Sequence, residues 1–269
     1  MPGPTSNADG LPVVPLSEEQ RFLFDTRGWL LLPGLLSAEQ TAEMRDFCYQ
    51  LKNDPDSLPA HQRSTIGGPL ETLTDHPAVV GFMDEFLTTG YEDARCYGFR
   101  FEGSFLTIRA KGHDNFQPHG GRGLLNFPGN SHTYHVRHDR AHSGLTRVVW
   151  ELNPVNRGDG GTLFLTGSHK GAFPAPQSTA ERDSPLWEDY ACPAGSALIF
   201  TEAITHTGAR WENEAVDRVA VFNCYNGVGA KWHKWEPHPQ QLEAMPFQRQ
   251  TLFRPVYCQD NVPSEAVQG

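Results

Sequence analysis

The histidines are the residues in this chain that are best able to do chemistry. There are 12 of them among 269 residues. The cysteines are too widely spaced to form a CxxC pair, which argues against a thiolate metal site or a disulfide framework and favours reduced thiols. They are Cys48, Cys96, Cys192, Cys224 and Cys258. Since imidazole is a good ligand for iron and other transition metals, a histidine-based metal site is the natural candidate.

The carboxylate that usually accompanies such a site is not where it is expected. Two histidines and one carboxylate can bind one face of a ferrous ion. The usual local form is His-x-Asp or His-x-Glu, because residues two apart on an extended strand point to the same side. None of the 12 histidines has Asp or Glu at the second following position. If the chain binds iron, its carboxylate ligand is missing from the usual place.

Residues 109–147 form a basic segment in an acidic chain. The segment holds six arginine and lysine residues, two aspartates and six histidines, whereas the formal net charge of the whole chain is −10. One interpretation is a solvated loop surface. The other is a funnel that concentrates anions. On the second interpretation the candidate substrate contacts are Arg109, Arg122, Arg137 and Arg147, to which Trp211 is added as an aromatic surface.

Two helices are expected before a region of short strands. Ser17 and Ser37 are each followed by acidic residues, as at helix N-termini. The first helix should turn Phe22, Leu23 and Phe24 inward and end near Gly28, and the second should run to about Lys52. From residue 95 onward, short apolar or alternating runs are separated by Gly, Pro, Asn and Asp. This spacing is typical of an antiparallel sandwich or barrel.

Three motifs follow one another in order along the chain. The run from Gly160 to Lys170 is GGTLFLTGSHK, and it resembles the "GPL…PGSHK" segment of the phytanoyl-CoA dioxygenase family. The run GSALIF ending at Phe200, followed by His206, Arg218 and Tyr225, resembles its "GDVLIF…H…R…Y" segment. The residues from Glu19 to Leu36 resemble its opening helix and hydrophobic strand. The resemblance covers most of residues 17–230.

The resemblance implies a fold and a site. The fold is mainly β, a double-stranded β-helix (jelly roll, cupin-like) with N-terminal helices packed on the outside. The cofactors are Fe(II) and 2-oxoglutarate. His206 matches the second iron ligand, and His119, which precedes it by 87 residues, matches the first. Arg218 matches the arginine that grips the far carboxylate of 2-oxoglutarate, a task that suits its planar guanidinium. Tyr134 and Thr146 are further candidate cofactor contacts.

The residue two positions after His119 is Gly121, which is the catalytic position of interest. This His-x-Gly form resembles the halogenases of the superfamily. There, a glycine or alanine leaves one metal position open for chloride, and chlorine is transferred to an unactivated carbon of the substrate. Chloride is therefore the third expected cofactor. By analogy with nucleotide halogenases of antibiotic biosynthesis, an anionic substrate such as a deoxyadenosine monophosphate is a hypothesis.

Several alternatives stay open. A carboxylate from elsewhere could complete the metal site and restore hydroxylation, and the candidates are Glu102, Asp114 and Glu202. His113 could be the first ligand, with Asn115 in the place of the acid. The chain could also be a non-catalytic protein that binds a small molecule on the same fold.

The expected organisation is simple. Residues 1–15 should be poorly ordered, and residues 16–260 should form one jelly-roll domain. The first residues lack the pattern of a signal peptide, and no apolar stretch approaches membrane-spanning length, which predicts a cytoplasmic protein without membrane contact. The acidic net charge argues against nucleic-acid polymers as partners, so the expected partner is a small, anionic molecule. The sequence does not predict an oligomeric state.

Overall fold

The computed structural model describes residues 3–88, 90, 93–120 and 132–256. The two N-terminal helices begin and end where their capping residues predict. Helix α1 (Glu18–Arg27) is capped by a reciprocal pair of hydrogen bonds between Ser17 and Gln20, and it stops at Gly28, which is left-handed with φ 80°. Helix α2 (Ala38–Asn53) repeats this capping with Ser37 and Gln40.

The inward face of α1 is narrower than the sequence suggests. Phe24 is fully buried, whereas Phe22 is 67% and Leu23 is 39% exposed. The prediction that all three side chains point inward is therefore wrong for two of them. Consecutive residues on a helix are about 100° apart, so three in a row cannot share a narrow buried stripe.

The remaining helices lie in regions that the sequence pattern left unassigned. Helix α3 (Pro77–Phe86) is buried around most of its circumference, so it has no amphipathic pattern to reveal it. Two short helices, α4 (Pro239–Ala244) and α5 (Phe247–Gln250), follow the last strand.

Five antiparallel strands form the large sheet, in the order β1-β7-β5-β9-β2. Their bounds are β1 (Trp29–Leu32), β2 (Phe99–Arg109), β5 (Thr146–Glu151), β7 (Ser196–Thr201) and β9 (Arg218–Gly227). Four of these strands lie after residue 95, in the region where the sequence predicts short strands.

A smaller sheet pairs β6 (Thr162–Phe164) with β8 (His206–Gly208). Isolated bridges widen this sheet on both sides, where His119 pairs with His206 and Phe164 pairs with Glu188. A separate hairpin joins β3 (Tyr134–Arg137) to β4 (Arg140–Ser143). The chain is thus mainly antiparallel sheet, with a large and a small sheet that both contribute to one site.

The two faces of the large sheet bury different clusters. Val148, Trp150 and Val221 lie on the face that packs against the helices, in a cluster with Phe24 and Phe82. The opposite face contributes Val149, Leu198, Phe200 and Phe222 to a second cluster, which contains Phe164 of the small sheet. Because side chains alternate along a strand, β1, β5, β7 and β9 each serve both clusters, whereas β2 contributes to the first. The helices therefore lie outside the sheets, as expected.

The N-terminal segment makes defined contacts, contrary to the disorder expected for residues 1–15. The Asn7 side chain donates to the backbone carbonyl of Asp75 (3.1 Å), and Arg249 forms an ion pair with Asp9 (2.6 Å). These partners lie far away in the sequence, so the local Pro- and Gly-rich composition does not reveal them. The expected domain end at residue 260 lies outside the described residues.

Four of the cysteines are buried: Cys48, Cys96, Cys192 and Cys224. In the described part of the chain, none of the helices combines the length and the apolar character that crossing a membrane requires.

Candidate active site

The backbone holds the two predicted metal ligands next to each other. His119 donates its N–H to the carbonyl of His206 (3.0 Å), and the N–H of His206 donates to the carbonyl of His119 (2.9 Å). Their ring centroids are 4.2 Å apart. His119 and His206 are distant in sequence, and antiparallel pairing of the two segments brings them together.

Both imidazoles are oriented for metal binding by the same local contact. The Nδ1 atom of His119 lies 2.6 Å from the carbonyl oxygen of Gln117, and that of His206 lies 3.0 Å from the carbonyl oxygen of Ile204. A carbonyl can only accept, so each Nδ1 carries the proton and each Nε2 keeps a free lone pair. This backbone contact is the usual way in which a metal-binding histidine is held in one tautomer.

Gly120 is needed for this close approach. It has φ +82°, and a Cβ added there would lie 2.3 Å from the carbonyl oxygen of Ile204 and 3.0 Å from Nδ1 of His206. No other residue fits without displacing backbone. The first glycine of the His-Gly-Gly sequence is therefore explained by packing of the chain.

The two histidines lie in a cavity of about 160 Å³ between the sheets. Its lining residues come from both sheets and from the loops that join them. They are Phe105, Arg109, Asn115, His119, Arg147, Thr162, Phe200, Glu202, His206, Thr207, Gly208, Arg218 and Phe222. A larger, open cleft of about 690 Å³ runs along β2 and contains His113, but neither His119 nor His206 lines it. We therefore assign the chemistry to the smaller cavity.

Arg218 is held rigidly at one end of the cavity. It is 1% exposed, and its Nη2 donates to Oε1 of Glu151 (2.5 Å) and to the hydroxyl of Tyr190 (3.1 Å). Its Nη1 is buried and has no hydrogen-bond partner. A buried guanidinium N–H without an acceptor is costly, so this atom indicates a place for an anionic ligand.

Arg109 lies directly across from Arg218 in the pairing of β2 with β9. Its Nη1 is also buried without a partner. In the described ranges no carboxylate forms an ion pair with Arg109, and its pKa is lowered to about 10, first by burial and then by the nearby charge of Arg218. Arg109 and Arg218 carry two positive charges, and Glu151 forms an ion pair with Arg218. The charge of Arg109 therefore suits a bound carboxylate ligand.

Glu202 is the acidic residue of the cavity. It is 5% exposed, its Oε1 accepts a hydrogen bond from Nε of Arg147 (2.5 Å), and its Oε2 lies 3.7 Å from Nε2 of His206. Burial raises the pKa of Glu202, but His206 and then Arg147 lower it by more, so the group is ionised at neutral pH. The pKa of His206 is lowered to about 4, mainly by burial, which keeps its ring neutral.

These residues fit a ferrous ion and a dicarboxylate. Two imidazoles whose Nδ1 atoms contact backbone carbonyls line one cavity, and two unpartnered guanidinium nitrogens belong to arginines of the same lining. Within the described residues, no three or more His, Cys, Asp or Glu side chains are already grouped as a metal cage.

Several predicted site residues lie elsewhere. Tyr134 donates to Asp25 (2.8 Å), and Thr146 is fully buried and contacts Ser143 (2.7 Å), so the structure places neither beside Arg218. Arg137 is exposed on the hairpin. Trp211 is fully buried in the second core cluster, and its indole N–H donates to the carbonyl of Val216 (2.9 Å). The expectation that Trp211 contacts substrate is corrected, because its side chain is used for packing.

Two other predicted residues, Gly121 and Arg122, lie outside the described residues. Of the predicted basic contacts, Arg109 and Arg147 line the cavity.

The alternative ligands are separated by the structure. Glu102 is buried and accepts from the backbone N–H groups of Trp232 and His233, away from the cavity lining. Asp114 is an exposed partner of Arg182 (2.5 Å). Of the three candidate carboxylates, only Glu202 lies beside a predicted histidine ligand. The alternative first ligand, His113, is exposed and does not line the cavity, although Asn115 does.

Glu151 and Tyr190 were not singled out from the sequence. They hold Arg218 in place, yet Tyr190 lies in an irregular segment and Glu151 ends an apolar strand. The one available signal was a buried charge at the end of an otherwise apolar run, since such a charge needs a partner.

Comparison with solved structures finds the same fold in several enzymes. HygX from Streptomyces hygroscopicus with iron bound has a TM-score of 0.63 at 20% identity, over 82% of this chain and 90% of that chain. HygX with nickel, 2-oxoglutarate and hygromycin B bound has a TM-score of 0.64 at 20% identity, over the same shares. The non-haem α-ketoglutarate-dependent carbocyclase SnoK from nogalamycin biosynthesis has a TM-score of 0.58 at 15% identity, over 96% of this chain and 98% of that chain.

No protein-family model matches the chain, and no curated protein matches it. At these identities the likeness to solved structures establishes the shared fold. The chain therefore has the fold of HygX and SnoK.

Proposed function

We propose that this chain is a non-haem Fe(II)- and 2-oxoglutarate-dependent oxygenase, built on a double-stranded β-helix, that oxidises an unactivated C–H bond of a small molecule. One observation carries the proposal. Two histidines with free Nε2 atoms share a cavity with two arginines whose Nη1 atoms are buried without partners. The fold shared with HygX, whose structures hold iron or nickel and 2-oxoglutarate, supports the same assignment.

The histidines would hold the metal. Because both rings are fixed through Nδ1 by backbone carbonyls, their Nε2 atoms need no rearrangement before binding. Phe200 packs against the ring of His206, with centroids 4.7 Å apart, and limits its rotation. Ferrous iron with 2-oxoglutarate supplies the oxidising power for C–H functionalisation, and the chain supplies position and shelter.

The arginines would bind the far carboxylate of 2-oxoglutarate. Arg218 is aligned by Glu151 and Tyr190, so its free Nη1 is already directed before the ligand arrives. Arg109 offers a second guanidinium on the neighbouring strand. The cavity volume of about 160 Å³ lies below the roughly 300 Å³ of common drug-sized pockets, which suits a small co-substrate.

Aromatic side chains would restrict water. Phe105 and Phe222 stack with centroids 4.5 Å apart, and the guanidinium carbons of Arg147 and Arg218 lie 5.3 and 5.4 Å from these rings. Excluding water strengthens the contacts of the arginines with a carboxylate and limits side reactions.

Chlorination is the second candidate reaction, and the Gly121 that follows His119-Gly120 favours it. In that reaction chloride would occupy the metal position of the missing carboxylate. The basic composition of residues 109–147 supports a substrate with negative charge, for which a nucleotide monophosphate is one hypothesis. HygX holds hygromycin B and SnoK belongs to nogalamycin biosynthesis, which supports a role in antibiotic biosynthesis. We place the activity in the cytoplasm, where the buried thiols stay reduced.

Metal binding tests the proposal without knowledge of the substrate. Under anaerobic conditions, Mn²⁺ affinity is measured by calorimetry for the wild type and for His119→Ala, His206→Ala and His113→Ala. The first two should lose binding by more than about 100-fold, since each removes a ligand. His113→Ala is the matched control and should bind as the wild type does, because its exposed side chain lies outside the cavity lining.

Turnover is then measured as succinate formed from 2-oxoglutarate, with Fe(II), oxygen, chloride and panels of nucleotides and amino acids. Succinate formation that requires His119 and His206 supports an oxygenase, and a chlorinated product supports the second candidate. Tight Mn²⁺ binding by both His→Ala variants would overturn the metal assignment. Metal and 2-oxoglutarate binding without succinate under any condition would indicate the non-catalytic alternative.

A further inference from the structure

Glu202 lies in the turn that connects β7 to β8, four residues before His206. Its backbone is fixed, since its N–H donates to the carbonyl of Leu145 (2.8 Å). The same turn packs on Gly120, where an added Cβ would lie 3.2 Å from the carbonyl oxygen of Glu202. Two contacting backbone segments therefore present His119, Glu202 and His206 to one space.

We propose that Glu202 is the carboxylate ligand of the metal, in place of the acidic side chain that position 121 lacks. With this ligand the enzyme would hydroxylate its substrate rather than chlorinate it. This inference rests on the proposed function. His119 and His206 alone leave a metal position for a halide. A Glu202 oxygen in that position fills it and adds the negative charge that a chloride ion would otherwise supply.

The distances allow this role. Two donors bound at about 2.1 Å and at right angles on one divalent ion lie about 3 Å apart. The Oε2 atom of Glu202 is 3.7 Å from the Nε2 atom of His206, which is the ring nitrogen that the Nδ1 contact would leave available for a metal. A movement of under about 1 Å by a side chain with three rotatable bonds closes the difference. Among the described residues the side chains of His119, Glu202 and His206 are not grouped closely enough to hold a metal ion, so the proposal requires Glu202 to move when the metal binds.

Arg147 has the position of a residue that holds the ligand. Its Nε donates to Oε1 of Glu202, which leaves Oε2 turned towards His206. Carboxylate ligands are commonly held through the second oxygen in this way. Arg147 is itself fixed, because it lies on β5 between Phe200 and Cys224 of the neighbouring strands. We regard Arg147 as a positioning residue, because it acts through Glu202.

The reaction that follows is balanced without a further reagent. The substrate C–H bond breaks and a C–O bond forms with one atom of dioxygen. The other oxygen atom enters succinate as 2-oxoglutarate loses carbon dioxide. The substrate provides two of the four electrons that dioxygen accepts, and 2-oxoglutarate provides the other two.

The test measures Mn²⁺ affinity by anaerobic calorimetry, with Co²⁺ absorption as a second readout of ligand number. Glu202→Gln should weaken Mn²⁺ binding by at least about 10- to 100-fold and change the Co²⁺ spectrum. The matched control is Glu102→Gln, which removes a buried carboxylate outside the cavity lining. It should bind both metals as the wild type does.

Because Glu202→Gln leaves Arg147 buried without its partner, a second pair of variants guards against unfolding. The double variant Arg147→Met with Glu202→Gln removes both charges and should still bind Mn²⁺ weakly. Arg147→Met alone keeps the carboxylate and should bind Mn²⁺ more tightly than the double variant. Far-UV circular dichroism establishes that each variant is folded.

Chemical rescue separates a ligand from a structural carboxylate. In Glu202→Ala, added formate should restore part of the Mn²⁺ affinity by filling the vacated position, and it should not change the affinity of His206→Ala. Wild-type affinity and an unchanged Co²⁺ spectrum in folded Glu202→Gln overturn the inference. If His119→Ala and His206→Ala lose Mn²⁺ while the Glu202 variants retain it, the inference about Glu202 fails and the proposed function stands. If all of these variants retain Mn²⁺, both fail.

Discussion

Neighbouring residues of β5 and β9 point into two different environments. On the face towards the helices, Val148, Trp150 and Val221 are fully buried among apolar side chains. On the face towards the cavity, the same strands carry Glu151 and Arg218, which are equally buried but charged. The exposure of the two faces is nearly the same, so burial alone does not distinguish the residues that stabilise the fold from those that bind ligands.

What separates the two faces is whether polar atoms find partners inside the protein. The helix face is stabilised by removing apolar surface from water. The cavity face buries guanidinium groups, and the Nη1 atoms of Arg109 and Arg218 stay without partners. Such unpaired groups reduce stability, and a bound anion recovers the loss. We therefore expect substitutions on the helix face to change unfolding, and substitutions on the cavity face to change ligand affinity, with a loss of stability where they also break an internal ion pair.

The largest expected effect is on the helix face. Trp150→Ala should lower the free energy of unfolding by about 3–5 kcal/mol, because it removes the largest side chain of this face and leaves a cavity. Chemical denaturation with urea measures the loss. The matched control is Phe173→Ala, which also truncates an aromatic residue but at 87% exposure, and which should change stability by less than about 0.5 kcal/mol. A folded Trp150→Ala protein that had lost Mn²⁺ binding would contradict the separation of the two faces.

A somewhat smaller effect is expected at the paired arginine of the cavity face. Arg218→Met should cost about 3 kcal/mol in the free energy of unfolding, because Glu151 stays buried without its counter-charge. The double variant Arg218→Met with Glu151→Leu should recover much of that loss, while both variants bind 2-oxoglutarate weakly. A double-mutant cycle in urea checks this. If the two substitutions are simply additive, the ion pair does not govern the stability of this face.

Substitution of Arg109 should have the smallest effect on stability and a clear effect on the binding of 2-oxoglutarate. Arg109→Met should keep or slightly raise the free energy of unfolding, since it removes a buried charge next to Arg218. It should weaken 2-oxoglutarate binding to the Mn²⁺ form by about 10-fold, the value of one charge-assisted hydrogen bond. Calorimetry measures the affinity, and Arg137→Met on the exposed hairpin is the control. Unchanged 2-oxoglutarate affinity in Arg109→Met would show that Arg218 binds the carboxylate alone.

Local patterns predicted the parts of the fold that local interactions stabilise. The helix starts at Ser17 and Ser37 follow from capping within four residues, and most strands follow from short apolar runs. The patterns did not reveal α3, which is buried nearly all round, or the docking of residues 3–15 onto Asp75 and Arg249. These features depend on partners far away in the sequence.

For the site, the family resemblance predicts His119, His206 and Arg218, and the structure places all three in the lining of one cavity. The spacing could not show that Trp211 packs in a core or that Tyr134 bonds to Asp25. Each of these side chains has a polar tip and an apolar body, so its role is decided by its neighbours.

The sequence by itself determined the two capped N-terminal helices, most of the strands and the absence of Asp or Glu two positions after any histidine, and the family resemblance selected His119 and His206. The sequence named three carboxylates that could complete the metal site and had no means to choose among them. Only the tertiary structure placed Glu202 beside His206, Glu102 under Trp232 and His233, and Asp114 at the surface with Arg182. The physical reason is that a metal site needs donors close together in space, and the distance between segments far apart in sequence is set by strand pairing and packing.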